Sequence, residues 1–186
     1  MIRLIVGLGN PGRKYEKTRH NVGFLFLERL AGVGVWSNEA RFQGLLASCR
    51  LGAHQVVLLK PQTYMNNSGA SVGKVARYYK IAPEEILVVH DELDFDEGVI
   101  RVKKGGGHAG HNGLRDIVAH LGSRDFMRLR VGIGRPPVGQ AVSDYVLSRP
   151  TSEGCARIER AFDEVESLIG SVVDGDIDLV MRELHG

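Results

Sequence analysis

The chain has 186 residues, 43% of them hydrophobic and 25% charged, which provides a packed core and excludes disordered and collagen-like classes. Two cysteines, Cys49 and Cys155, cannot build a disulfide framework or a four-cysteine zinc site. The net charge of +2 hides an asymmetry: residues 151–186 carry nine acids and three bases, whereas residues 98–135 carry eight Lys/Arg and two Asp. A polyanionic partner for the basic stretch and plain unevenness of surface charge both account for it. The 24 glycines are roughly twice the usual ~7%, so close backbone approaches are expected. The most apolar stretch, 22–36, is interrupted by Glu28 and Arg29 and falls short of the ~18 uncharged residues of a membrane span. Residues 2–9 are too short for the apolar core of a signal peptide, so a cytoplasmic setting is expected.

In chain order, residues 2–8 read as a buried first strand. Leu25, Phe26, Leu27 and Leu30 fit a helix beginning near Asn21. Apolar runs at 44–51 and 55–60 flank Gly52-Ala53 and predict a hairpin. Ser68, an N-cap residue type, precedes Val72, Val75, Ala76 and Tyr79 at helical spacing. Residues 86–89 form a short apolar strand and 99–103 a more exposed one. Leu114, Ile117, Val118 and Leu121 predict a third helix. Residues 126–133 predict a strand with Arg128 and Arg130 on one face. Pro150-Thr151 opens a long helix with Ile158, Phe162, Val165 and Ile169 on one side, and a short helix closes the chain. Strands alternating with helices predict the α/β class. The expected architecture is a single-domain sandwich over residues 1–186, with a central mixed, mostly parallel sheet covered by helices on both faces.

Three apolar runs end in polar residues: at Gly9-Asn10-Pro11-Gly12, after Lys60 at Pro61 to Gly69, and at His90-Asp91-Glu92. Ligands of open α/β sheets bind beyond strand carboxyl ends, although the same residue types also mark ordinary turns. Gly7-Leu8-Gly9-Asn10-Pro11-Gly12 fits G-x-G-x-x-G. A dinucleotide site needs the helix to open at the glycines, whereas residues 13–20 are polar and lack apolar periodicity. A P-loop fails because Gly12 is followed by Arg13-Lys14-Tyr15, so no nucleotide is expected. His108 and His111 flank Ala109-Gly110, but a hydrolytic zinc site needs a third ligand, so no metal is expected. His54, His120 and His185 lie in turn or helix contexts and read as surface residues. His20 sits just ahead of a helix beside the first strand's loop; it fits a surface residue, or a general base if Asp91 orients its far nitrogen. The loop 103–113 joins two lysines, two histidines and several glycines to Asn112 at a helix start, where free N–H groups attract anions. It fits a nucleic-acid backbone, a developing oxyanion, or a plain basic loop.

Taken as a set, these segments resemble the bacterial peptidyl-tRNA hydrolase family. The resemblance runs from Val6-Gly7-Leu8-Gly9-Asn10-Pro11-Gly12, through Tyr15 and Thr18-Arg19-His20-Asn21-Val22-Gly23, to Lys60-Pro61-Gln62-Thr63-Tyr64-Met65-Asn66. It continues through His90-Asp91-Glu92-Leu93-Asp94, the 105–116 loop and Arg128 to Pro136, and so covers the whole chain. It implies release of tRNA from peptidyl-tRNA shed by stalled ribosomes, by a cytoplasmic, metal-independent monomer without cofactor. Residue by residue, it implies that His20 is the catalytic base, that Asp91 orients it, and that Asn10 helps tell blocked from free aminoacyl-tRNA. It further implies that Tyr15, Tyr64, Asn66 and Asn112 contact tRNA or substrate, with His111 in the same binding set, and that Met65 is an apolar wall. Lys103 and Arg130 are the implied tRNA-meeting bases, and Lys104, Arg128, Arg135 and Arg101 are expected to join them. Position 64 departs from the pattern, with Tyr where several relatives have Phe; the aromatic face is kept. In the implied chemistry neutral His20 takes a proton from the attacking water, and Asn112, with Asn66 nearby, is the candidate oxyanion donor.

Overall fold

The computed structural model describes residues 1–32 and 34–185. Val33, within the apolar stretch 22–36, and Gly186, the last residue of the expected domain, lie outside the described residues. The centre of the molecule is a sheet of seven strands in the order β2 (Ser37–Glu39), β3 (Gly44–Leu51), β4 (His54–Pro61), β1 (Leu4–Gly7), β5 (Ile86–Glu92), β7 (Met127–Gly132) and β6 (Ile100–Lys104). The middle four, β4-β1-β5-β7, run parallel, and the pairings toward both edges are antiparallel. The Gly52-Ala53 hairpin between β3 and β4 lies where the sequence puts it.

Helices α1 (Val22–Ala31), α2 (Ser68–Tyr79), α3 (Asn112–Leu121), α4 (Val142–Val146), α5 (Ser152–Ser167), α6 (Ile169–Asp174) and α7 (Ile177–His185) complete the fold. Two cores result, one on each face of the sheet. Ile5, Leu58, Leu87, Val89 and Leu129 pack with Phe26 of α1, Phe162 of α5, Val172 of α6 and Val180 of α7. Leu4, Val6, Leu59 and Val88 point the other way and pack with Val72 and Val75 of α2 and Leu114 and Ile117 of α3. The two-residue period of a strand produces this division. Strands covered on both faces read as continuous apolar runs, as in Ile86 to Val89.

Gly7 and Gly9 of the G-x-G-x-x-G match serve packing against α1, where Gly23 faces Gly7, whereas Gly12 has open space around it and a φ of 107. A Cβ at Gly23 would lie 2.5 Å from both the Leu8 nitrogen and the Val89 oxygen, and one at Gly9 would enter the Phe24 ring at 2.8 Å. Helix α1 thus lies directly against the ends of β1 and β5, at a distance only glycine permits.

Several boundaries differ from expectation. Ser68 does not cap α2 from outside. It is the first residue of the helix, entered from a 3-10 turn at Met65–Asn67, and its hydroxyl donates to the Met65 carbonyl at 2.7 Å. Thr151 does cap α5, accepting from the Gly154 N–H at 3.0 Å, but that helix ends at Ser167 and Ile169 begins α6. Strand β2 and helix α4 were not anticipated, since three and five residues are too short to carry a period. His185 is tied in rather than free at the surface: its Nε2 accepts the Val102 N–H at 3.2 Å.

Candidate active site

Because β4, β1 and β5 are parallel neighbours, their carboxyl ends share one edge of the sheet. Asp91 stands near the end of β5 and is 4% exposed. A 3-10 turn at Arg19–Asn21, leading into α1 on one face, brings His20 to it; Nδ1 lies 2.8 Å from Asp91 Oδ2. The residue capping α3 on the other face, His111, brings Nε2 to 2.7 Å from Asp91 Oδ1. One buried carboxylate therefore receives two imidazoles from opposite faces of the sheet.

The hydrogen bonds assign the tautomers. His111 Nδ1 accepts the Leu114 N–H at 3.3 Å, so its proton is on Nε2 and is donated to Asp91. An Nδ1–H donated by His20 to the carboxylate leaves the Nε2 lone pair of that ring for the cleft. Burial disfavours the His20 imidazolium, but the charge of Asp91 and its hydrogen bond outweigh this and raise the pKa above its ordinary 6.5. Burial alone would raise Asp91, yet His20 and His111 hold it well below the usual carboxylate range. Its neighbour His90 is the reverse case. Burial, assisted by His111, pushes its pKa down to about 3. Its Nδ1 bonds the Asp91 carbonyl at 2.8 Å, and its Nε2 is buried without a hydrogen-bond partner among the described residues.

Asn10 is held by three bonds. Its backbone N–H and C=O each pair with the Asn21 side chain at 2.9 Å, and its Oδ1 accepts the Met65 N–H at 2.7 Å. The Met65 bond assigns the amide orientation and leaves Nδ2 as the free donor. Asn21 was not singled out in the sequence, where it looks like an ordinary helix-start residue. Tyr64 adopts φ 63 and ψ 155, a strained backbone for a side chain this large. Its ring is 57% exposed and meets Tyr15 edge-on, with ring centres 6.4 Å apart.

All eleven site residues anticipated from the sequence line one cleft of about 600 Å³: Asn10, Tyr15 and His20; Tyr64, Met65 and Asn66; Asp91; and Lys103, His111, Asn112 and Arg130. Arg130 stands over the Phe95 ring at 4.9 Å. The wider basic set needs correction at Arg128, which is 1% exposed. Its guanidinium donates to the Gly107 and Gly106 carbonyls at 2.5 and 2.6 Å and stands over Phe126 at 4.5 Å, so it ties down the glycine loop and is not free for a phosphate. Arg135 is paired with Asp94, and Arg101 donates to the Leu184 carbonyl at 3.2 Å.

His20, Asp91 and His111 also form a group whose possible ligand atoms lie within 4.8 Å of one another. In the observed bonding, however, both imidazole nitrogens that face Asp91 are N–H donors. A cation there would displace those protons, and His111 would have to turn an N–H toward the N–H of Leu114.

An imidazole braced by a buried carboxylate, with amide groups around it at the carboxyl edge of an α/β sheet, is an arrangement suited to a hydrolase that activates water. Comparison with known proteins makes that class specific. The family model described as "Peptidyl-tRNA hydrolase" matches residues 4–186. Peptidyl-tRNA hydrolase of Methylococcus capsulatus is 52% identical, covering 100% of both chains. That of Bordetella parapertussis is 53% identical over 100% of this chain and 88% of its own. A crystal structure of peptidyl-tRNA hydrolase from Acinetobacter baumannii superposes with a TM-score of 0.92 at 47% identity, covering 98% of this chain and 94% of the other. The chain belongs to the peptidyl-tRNA hydrolase family, and its reaction is the hydrolysis of peptidyl-tRNA.

Proposed function

We propose that His20 is the general base of this hydrolysis, held in its working tautomer by Asp91. The observation that carries this reading is the 2.8 Å bond between His20 Nδ1 and the buried Asp91 carboxylate. Neutral His20 takes a proton at Nε2 from a water that attacks the ester carbonyl. Asp91 stabilises the imidazolium that forms, and His111 bonds the second carboxylate oxygen and keeps it in place. Negative charge then grows on the carbonyl oxygen, where the Asn112 amide, at the start of α3, is the proposed donor, with Asn66 across the cleft. The His20 proton passes to the departing 3′ ribose oxygen, leaving free peptide and free tRNA. Asn10 Nδ2 binds the acylated end of the substrate; an acylated nitrogen and a free α-ammonium make different hydrogen-bonding demands, so this contact separates blocked from ordinary aminoacyl-tRNA. Met65 and the Tyr15–Tyr64 pair wall the cleft, and Lys103 and Arg130 meet tRNA phosphates. The committed tautomers of His20 and His111 favour a reaction without metal, and no nucleotide enters it.

The chain works in this reading as one domain, a monomer of the cytoplasm, recycling tRNA from peptidyl-tRNA shed by stalled ribosomes. No helix among the described residues is long and apolar enough to cross a membrane. The test is turnover of N-acetylaminoacyl-tRNA in excess chelator with no added nucleotide. Unmodified protein is expected to be fully active, and His20→Ala to lose ~10²–10⁴-fold. Near-normal turnover by His20→Ala would remove the imidazole from the mechanism.

A further inference from the structure

Outside the cleft, the strongest unexplained feature is the outer side of α2. The helix and the residue after it carry Lys74, Arg77 and Lys80, all exposed and at successive i,i+3 spacing, and α2 contains no acid. None of the three joins an ion pair among the described residues. In contrast, Arg29 and Arg157 on the opposite face are paired with Asp163 and Glu166, and with Glu97 and Glu153. Like charges at this spacing destabilise a helix slightly, while Arg77 in the last turn and Lys80 at the C-cap complement the helix dipole, so the fold by itself accounts for part of the row only. Beside it Arg41 stands over the rings of Phe42 and Tyr78, at 4.6 and 4.4 Å, and Tyr78 is 55% exposed. The patch is joined to the cleft. Lys74 Nζ donates to Gln43 Oε1 at 2.7 Å, and the Gln43 carbonyl accepts the N–H of Gln62 at 2.8 Å, two residues before Tyr64.

We propose that this surface is a second RNA-contact site, which binds the phosphate backbone of the substrate's acceptor stem while the ester lies in the cleft. Three cations without carboxylate partners match a polyanion in charge. The exposed Tyr78 ring, braced by Arg41, adds a flat face for a ribose or base. Helix α2 begins two residues after Asn66 and leads away from the cleft, with Lys74 about 9 Å along it, so a duplex attached to a 3′ end bound in the cleft can run beside the row. The inference rests on tRNA being the larger part of the substrate and does not depend on the proposed roles of His20 and Asp91.

The decisive comparison uses two substrates, N-acetylaminoacyl-tRNA and the same acyl group on a single-stranded CCA trinucleotide, with a Lys74→Glu/Arg77→Glu variant. The variant is expected to lose about tenfold in kcat/KM on the tRNA, through KM, and nothing on the trinucleotide. Its plot of log kcat/KM against log salt is expected to be shallower by about 1.4–1.8, the share of two phosphate contacts. Tyr78→Ala, which leaves the charge alone, is expected to show a smaller loss confined to the tRNA, with an unchanged salt slope. Equal losses on both substrates would overturn the proposal, because the change would then act through the cleft or the fold. Unchanged kinetics and salt slope on the tRNA would also overturn it, and would leave the cations for an acidic protein partner.

Discussion

Asp91 is the residue on which the site turns, because its two oxygens are each committed to a different ring. A general base must be neutral to act, and the His20 pKa is raised by the Asp91 charge. Activity is therefore expected to fall as pH drops through a value above 6.5. Asp91→Asn removes the charge that raises that value, so the acid limb of the kcat/KM profile should move to lower pH while the plateau drops ~10²–10⁴-fold. A pH–rate profile of the variant with an unmoved acid limb would show that Asp91 does not act through His20. His90 gives a separate signature in stability. It is neutral when folded, with a pKa of about 3 against 6.5 when exposed. Below pH 6.5 the unfolded chain binds the extra proton, so stability falls as pH drops from about 6.5 toward 3, by up to ~1.4 kcal/mol per pH unit. Denaturant midpoints of a His90→Gln variant should decline less over this window than those of the unmodified protein.

At the level of elements, the site depends on two close packings. Helix α1 can rest on β1 and β5 only because residue 23 has no side chain. Gly23→Ala must push the helix outward and displace the turn that carries His20, with an expected cost of ~1–3 kcal/mol or more. Thermal melts measure the cost, and kcat should fall with it. The second packing is the glycine loop between β6 and α3, which Arg128 ties by two carbonyls. Arg128→Met leaves those carbonyls without their donor and frees the segment preceding His111 and Asn112. Hydrogen exchange at residues 105–110 should accelerate, and stability should drop by about 1.5–3 kcal/mol. Unchanged exchange there would mean that the loop is held by other contacts. Strand alternation correctly put Arg128 and Arg130 on one face. It could not say that the loop folds over the first and leaves the second at the cleft.

Across the whole molecule the sheet separates charge. Arg101 and Lys103 of β6 lie beside Arg130 and Arg128 of β7, and Arg128 is in register with Val88, a residue of the core under α2 and α3. The acidic segment 151–186, with nine acids and three bases, supplies α5 to α7 on the other face. A polyanionic substrate should approach from one side only, and apparent affinity should weaken steeply with salt. Lys103→Ala and Arg130→Ala should each reduce the salt slope of kcat/KM by ~0.7–0.9, whereas neutralising an acid of α5 should leave it unchanged. A flat salt response in the unmodified protein would contradict the basic-face reading.

The longer elements, the apolar stripes that cover the sheet and the fold class were legible in the chain, since burial imprints a period of two or 3.6 on neighbouring residues, whereas the short β2 and α4 and the break between α5 and α6 were not. The site residues were legible as types in separated motifs, and all eleven do line one cleft. Contacts between distant residues leave no such imprint. His20 and His111 stand 71 and 20 positions from Asp91; the parallel pairing of β1 and β5 brings the turn before α1 to the strand end, and the return of the loop after the antiparallel β6 brings the cap of α3 there. The same holds for Asn21 clasping Asn10 and for the inward turn of Arg128. These pairings were decided in the tertiary structure, where packing of the two helical layers sets which polar groups meet once water is excluded.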